Sequence, residues 1–452
     1  MLELERIVGS LLCVGIPAEV ARPRLSGESA VHVDGPLFER LRRLGPGGVV
    51  LFARNVASID GARTLVDALC AALDDGEPPS ICIDQEGGRV ARIAIDEAMP
   101  SAMTVGASGD AELGERVGAA LAATVRAVGA NVNFAPVLDL ALDARSTVIG
   151  NRAFGDDPDA VAKLGAAVVR GLQAAGVAAT PKHFPGHGAT PDDSHVAAPT
   201  VHADAATLRR RELVPFGAAF AAGARAVMTA HVSVPAFDDA WPATLSPRIL
   251  RDLLRGELGF DGVAFTDCLE MSGVAERFGG PAGAGVRALA AGADMLLVSH
   301  DLGAAEALRE AIVQAVREGD VPLWRVEEAA TRVRAFRRTH RTGRSSTVMS
   351  SQEGARVARD VAARGIAGVR GDLRLDLAEP VTVVSFEGAS GDGIAGGAAE
   401  RPSLNLALRR RRVRSELLRV ALEPDAQMRE QLVNIIAAQN AQGARNVIVL
   451  AR

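Results

Sequence analysis

Residues 177–195 read VAATPKHFPGHGATPDDSH. The first five suit a short buried strand, and that strand hands straight over to Lys182 and His183. From there to His195 the chain packs three histidines (His183, His187, His195), two adjacent aspartates (Asp192, Asp193) and a lysine into fourteen residues, although it has only eight histidines in all. Pro185, Gly186, Gly188 and Pro191 recur too closely for a helix to survive. What remains is a loop of titratable groups at the end of an apolar strand. Such a loop can serve a metal site, an acid/base pair or an anion-binding turn.

Outward from this strand the same texture repeats. LLCVG (11–15), GGVVLF (47–52), SICID (80–84), NVNFA (131–135), RAVMTA (225–230), GVAFTD (262–267) and ADMLLV (293–298) are short apolar runs, bringing the set to eight with VAATP. Between them lie amphipathic stretches with helical spacing, such as 61–73, 113–128, 159–174 and 205–222. Strands apolar on both faces, alternating with helices, predict a parallel sheet. Eight of them predict an α/β fold, a (β/α)8 TIM-type barrel over residues 1–342. A doubly wound open sheet would also alternate, but no GxGxxG or Walker loop follows any of the runs. In a barrel, active-site groups gather at the C-terminal strand ends. Asp84, Lys182 with His183, His231 and Asp267 stand at four of those ends; Asp139, a few residues past NVNFA, is less informative.

Composition sets outer bounds. The 452 residues are 48% hydrophobic and 23% charged with a net charge of -5, which suits a globular protein with no pull toward nucleic acid or anionic membrane. The N-terminal MLELERIVGSLLCVGIP carries Glu3 and Glu5 and no basic region before its short apolar run, so neither an export signal nor a membrane span is expected. Cys13, Cys70, Cys82 and Cys268 lack CxxC spacing and read as free thiols of a reducing, cytoplasmic compartment. After residue 342 the texture changes. A polar linker (340–347) leads to a helical pattern (353–369), strands at 381–386, 417–422 and 446–450, a Gly-rich loop (388–399) and a helix over 425–442. This predicts a smaller α/β domain over 343–452 that stops at a strand, and is thus short or incomplete. Its basic run at 409–412 with Arg414 reads as a solvated helix end.

Five motifs, taken together, resemble the successive signatures of glycoside hydrolase family 3: IDQEGGRVAR (83–92), NVNFAPVLDL (131–140), VIGNRAFG (148–155), KHFPGHGATPDDSH (182–195) and FTDCLEM (265–271). They occur in the family's order. KHFPGHG with DSH is similar to the β-N-acetylglucosaminidase branch; β-glucosidases of the family lack that loop and take their acid from a Glu in a second domain. The resemblance implies retaining hydrolysis of terminal, non-reducing β-linked N-acetylglucosamine, commonly on cell-wall fragments during peptidoglycan recycling. It assigns Asp267 as nucleophile and makes Asp84, Arg92, Arg152, Lys182 and His183 substrate contacts.

The chemistry of these residues fits. Retaining hydrolysis needs a carboxylate below the anomeric carbon and a proton donor above the leaving oxygen. Asp267 suits the first role, its bland alternative being a helix cap. His195 suits the second, because an imidazole with a pKa of about 6.5 gives and takes a proton near neutrality. Asp193, two residues earlier in an extended loop, points to the same side and can orient the ring. The bland readings are salt-bridged surface positions for Arg92 and Arg152, a cap for Asp84, and a satisfied strand-end histidine for His183. His187 and His231 read as buried hydrogen-bonding partners. A divalent metal held by His183, His187, His195 and Asp193 is disfavoured, since facing one centre from positions 183 and 187 needs the helix that Pro185 and Gly186 deny. No metal and no cofactor are expected. The expected partner is a small carbohydrate or muropeptide substrate, with no nucleic acid and no membrane. A phosphorylase using the same nucleophile is the runner-up, because a histidine acid/base does not repel phosphate. A metal-dependent hydrolase and an inert sugar-binding barrel follow it.

Overall fold

The computed structural model describes residues 2–17, 35–95, 97–143, 146, 148–190, 199–340, 349–365, 381–387, 415–421 and 446–451. It falls into two units, Met1–Ile366 and Ala367–Arg452.

In the first unit the strands are β1 (Leu12–Gly15), β2 (Gly48–Leu51), β3 (Ser80–Ile83), a small hairpin of β4 (Gln85–Gly87) and β5 (Val90–Ala91), β6 (Val132–Asn133), β7 (Ala178–Ala179), β8 (Ala226–Met228), β9 (Val263–Phe265) and β10 (Leu296–Val298). Six of them form one parallel sheet in the order β10-β1-β2-β3-β6-β7, and β8 pairs with β9. Single parallel bridges, Phe184 to Thr229 and Phe265 to Met295, link β7 to β8 and β9 to β10. Leaving the hairpin aside, each strand therefore pairs with the next in sequence, and β10 pairs with β1. This is the strand order of a (β/α)8, TIM-type barrel, and all eight apolar runs supply its strands.

The strands are buried along their whole length because side chains on one face fill the barrel and those on the other meet the helices. Phe134 and Phe265, next to β6 and ending β9, meet edge to face at 5.4 Å. Helices fill the intervals, each burying one apolar stripe; in Ile59–Leu73 it is Ala62, Leu65, Val66, Leu69 and Leu73. Their starts are set by side chains that accept the orphan first-turn amides, from Ser58, Asp110, Asp157, Asp204 and Asp301.

Just before the N-terminus of β10, the buried Asp294 collects three arginines. Arg255 Nη2 lies 2.6 Å from one carboxylate oxygen, while Arg325 Nη2 at 2.7 Å and Arg332 Nη1 at 3.4 Å share the other. Arg325 also donates to the carbonyls of Leu289 and Ala293, so its buried guanidinium is satisfied.

The helix Ser351–Arg364 follows the polar linker, and the sequence places it in the second domain; by packing it lies in the first unit. A capping box of Ser350 and Glu353 starts it, Val357, Ala358 and Val361 are buried, and Arg116 pairs with Asp360 at 2.9 Å. In the second unit, β11 (Val381–Glu387), β12 (Ser415–Ala421) and β13 (Asn446–Ala451) form a parallel sheet in the order β12-β11-β13. These are the three strands read from the sequence. The expected helix over 425–442, the Gly-rich loop and the basic run lie outside the described residues. No helix among the described residues is long and apolar enough to cross a membrane.

Candidate active site

Asp84 follows β3 directly, and the β4–β5 hairpin that leaves it carries the next groups. The hairpin turns on Gly87 and Gly88, with φ of +92° and +54°. A Cβ on Gly87 would stand 2.6 Å from the Pro100 carbonyl, so both conformation and space require glycine. Gln85 fixes the return strand, its Oε1 accepting the amides of Arg92 (2.8 Å) and Ile93 (3.0 Å), and so brings Arg92 back over Asp84. The Arg92 Nη2 to Asp84 Oδ2 distance is 3.8 Å, and the Arg92 guanidinium also lies over the Phe52 ring.

Glu86 joins the rest. Its carboxylate takes a bidentate pair from Arg152, at 2.9 and 2.8 Å, and receives Lys182 Nζ at 2.7 Å. Lys182 Nζ donates equally closely, 2.7 Å, to Asp84 Oδ1. Burial alone would push the Glu86 carboxyl up, but Arg152 and Lys182 more than offset it and hold the group below the usual carboxylate range. The same carboxylate raises the Arg152 guanidinium against the opposing effect of burial. Four of the five expected sugar-binding residues, Asp84, Arg92, Arg152 and Lys182, thus form one ion-paired cluster, whose hub the sequence reading missed. The signal was present: Glu86 stands two residues after Asp84 in an extended segment, which aims both carboxylates the same way.

His183, the fifth, is held by Asp139. Its Nδ1 lies 2.6 Å from Asp139 Oδ2, and the amide of His187 donates to Oδ1 at 2.7 Å. Burial would raise the Asp139 carboxyl, yet His183 and that amide outweigh it and leave it lowered. His187 has its imidazole pushed down, by burial first, with Asp139 opposing. Gly188 then runs so close to the Leu140 carbonyl that a Cβ would lie 1.7 Å from its oxygen. Asp192, Asp193 and His195, the expected acid/base loop, lie outside the described residues. Further along the chain, Thr200 bridges to Ser233.

Asp267 follows β9, and its Oδ1 accepts the Cys268 amide at 2.7 Å. His231, after β8, donates from Nε2 to the Cys268 carbonyl at 2.9 Å and meets Thr244 Oγ1 through Nδ1 at 3.0 Å. It is a buried hydrogen-bonding partner, holding the peptide next to Asp267. The carboxylate of Glu270 accepts the amides of Ser299, His300 and Asp301 and ties this segment to the end of β10. Among the described residues the loop histidines form no group of three converging metal-ligating atoms; Cys268, Glu270 and His300 do, within 4.8 Å of one another.

Residues 31–336 match the glycosyl hydrolase family 3 N-terminal domain. The chain belongs to glycoside hydrolase family 3. A β-hexosaminidase of Pseudomonas aeruginosa (strain LESB58) is 45% identical over 269 residues, 59% of this chain and 79% of the relative. A family 3 β-N-acetylglucosaminidase structure from Paenibacillus sp. str. FPU-7 superposes with a TM-score of 0.87 at 33% identity, covering 99% of this chain and 84% of that one. NagZ from Neisseria gonorrhoeae, solved with N-trifluoroacetyl-D-glucosamine, gives a TM-score of 0.64 at 29% identity over 79% of this chain and 98% of its own. The resemblance carried by the five motifs, to family 3 and its β-N-acetylglucosaminidase branch, is borne out, and the chain is a glycoside hydrolase.

Proposed function

We propose that this family 3 chain is a retaining exo-β-N-acetylglucosaminidase that releases terminal, non-reducing β-linked N-acetylglucosamine from soluble peptidoglycan fragments in the cytoplasm. The observation that carries the reading is the strand-end position of Asp267 on the rim that also presents the Asp84–Lys182–Glu86–Arg152 cluster. In this mechanism Asp267 attacks the anomeric carbon while His195 protonates the leaving oxygen. His195 then takes a proton from the water that releases the sugar, with Asp193 orienting the imidazole through both steps. Asp84 accepts hydrogen bonds from sugar hydroxyls; Arg92, Arg152, Lys182 and His183 donate to its oxygens. Cross-bracing by Glu86 and Asp139 holds these groups in place before the sugar arrives, which reduces the ordering cost of binding. Free thiols at Cys13, Cys70, Cys82 and Cys268 support a reducing compartment. The second unit, Ala367–Arg452, is proposed as a smaller α/β domain of the same chain.

The test is covalent trapping. A slow fluorinated N-acetylglucosaminide should leave a sugar adduct on the peptide containing Asp267, and Asp267→Ala should abolish both adduct and turnover. An adduct on another carboxylate overturns the assignment. Product analysis with and without phosphate separates hydrolysis from phosphorolysis, and a sugar 1-phosphate product would replace the hydrolase reading.

A further inference from the structure

Cys268 follows Asp267 directly, and its side chain meets Glu270, which is tied to the segment after β10. Its thiol donates to Glu270 Oε2 at 3.4 Å. Glu270 is fixed by the three amides of Ser299, His300 and Asp301 at 2.6, 2.8 and 2.8 Å, and Oε1 accepts only the last of these. The His300 ring is stacked on Phe52 at 5.6 Å, at the rim where solvent reaches it. One sulfur, one carboxylate oxygen and one imidazole nitrogen therefore converge within 4.8 Å. A thiolate, an imidazole and a carboxylate form a ligand set that zinc and cadmium take tetrahedrally, with water as the fourth ligand. Magnesium and calcium, which prefer oxygen, would find one carboxylate here and a sulfur they do not bind.

We propose that Cys268, Glu270 and His300 form a binding site for a thiophilic divalent cation, zinc in the first instance, and that its occupancy inhibits the hydrolase. On binding, the Cys268 sulfur exchanges its proton for the metal ion and the proton leaves to solvent, with no redox change. The Cys268 amide donates to Asp267 Oδ1 and its carbonyl accepts from His231, so a shift of Cys268 toward an ion moves the peptide that positions the nucleophile. The added positive charge also draws electron density from the neighbouring carboxylate. Both effects reduce the attack of Asp267 while leaving the Asp84–Lys182–Glu86–Arg152 ion pairs in place, so inhibition lowers kcat more than it raises KM.

The experiment has two arms on the full chain. In the first, cadmium is titrated into the enzyme after chelator treatment and removal of the chelator, and thiolate-to-cadmium charge-transfer absorbance is followed. One equivalent of band should appear and be lost in Cys268→Ser. This arm needs no turnover, so it stands apart from the assignment of substrate and nucleophile, on which the kinetic arm rests. In the second, zinc should inhibit hydrolysis and EDTA should restore it, and Cys268→Ser and His300→Ala should each raise the half-inhibiting zinc concentration by about tenfold or more. His300 is at the exposed rim, so its variant keeps the test available if Cys268→Ser folds poorly. Absence of the cadmium band, or equal zinc sensitivity in the native enzyme and His300→Ala, overturns the proposal.

Discussion

At the scale of single residues the molecule concentrates its demands on a few buried charges. Glu86 serves Arg152 and Lys182 at once. Glu86→Gln keeps the shape but removes the charge that both cations face, and breaking one side of a buried ion pair costs about 3–5 kcal/mol. Part of that loss falls on folding and part on the proposed sugar site. Thermal denaturation should show a lower Tm, and kcat/KM should fall about 10–100-fold, mostly through KM. Unchanged values for both would show the hub to be dispensable. The acid/base role proposed for His195 makes a different demand, set by the leaving group. His195→Gly should slow cleavage of a natural sugar aglycone by about 10²–10⁴-fold, the usual share of acid/base assistance. A dinitrophenyl glycoside needs little protonation and should retain its first step, stalling at deglycosylation. Equal losses on both substrates would return the acid role to another residue. The strand-end positions of Asp84, Lys182, His183 and Asp267 were legible because each charged residue closes a short apolar run. The pairings of Glu86 and Asp139 were not, since Arg152 lies 66 residues from the first and His183 44 from the second, and only folding brings them together.

Elements differ in how much of themselves they show in sequence. The eight barrel strands were legible because both faces are covered and the runs are continuously apolar. The hairpin after β3 was not: its strands span three and two residues, too few to establish a period. The π-helical segment Arg248–Glu257 also went unread. In the loop after β7, the backbone itself is the constraint. Gly188 lies against the Leu140 carbonyl, so Gly188→Ala must displace one of two segments that carry Asp139, His183 and His187. Overpacking of this kind costs about 1–3 kcal/mol. The variant should lose several degrees of Tm and, by shifting His183, more activity than its stability loss accounts for. An active enzyme with a native Tm would mean that the contact relaxes freely.

Taken whole, the barrel carries a consistent acid sensitivity. His187 and His340 have imidazoles pushed down by burial from 6.5, and Glu86 and Asp139 have carboxyls held below 4.5 and 3.8. In every case the unfolded chain binds a proton that the folded chain refuses, so stability declines as pH falls. The histidine share is fully present above about 6.5 and is lost below it; the carboxylate share follows at lower pH. Tm should therefore drop between about pH 7.5 and about pH 5.5, and His187→Asn should flatten part of that drop. A Tm that rises on acidification would contradict the burial of these groups. Barrel order was legible from periodicity, whereas the place of the helix Ser351–Arg364 was not, because a polar linker marks a break in composition and says nothing of where the next element packs. The Asp294 cluster has one more consequence, which concerns time. Arg255 precedes Asp294 by 39 residues, while Arg325 and Arg332 follow it by 31 and 38. A chain growing from its N-terminus has made every barrel strand before two of the three cations for this carboxylate exist. Until residue 332 has cleared the ribosome, the second carboxylate oxygen of Asp294 lacks both of its arginines, and a nascent barrel arrested short of that point should remain protease-sensitive although its strands are complete.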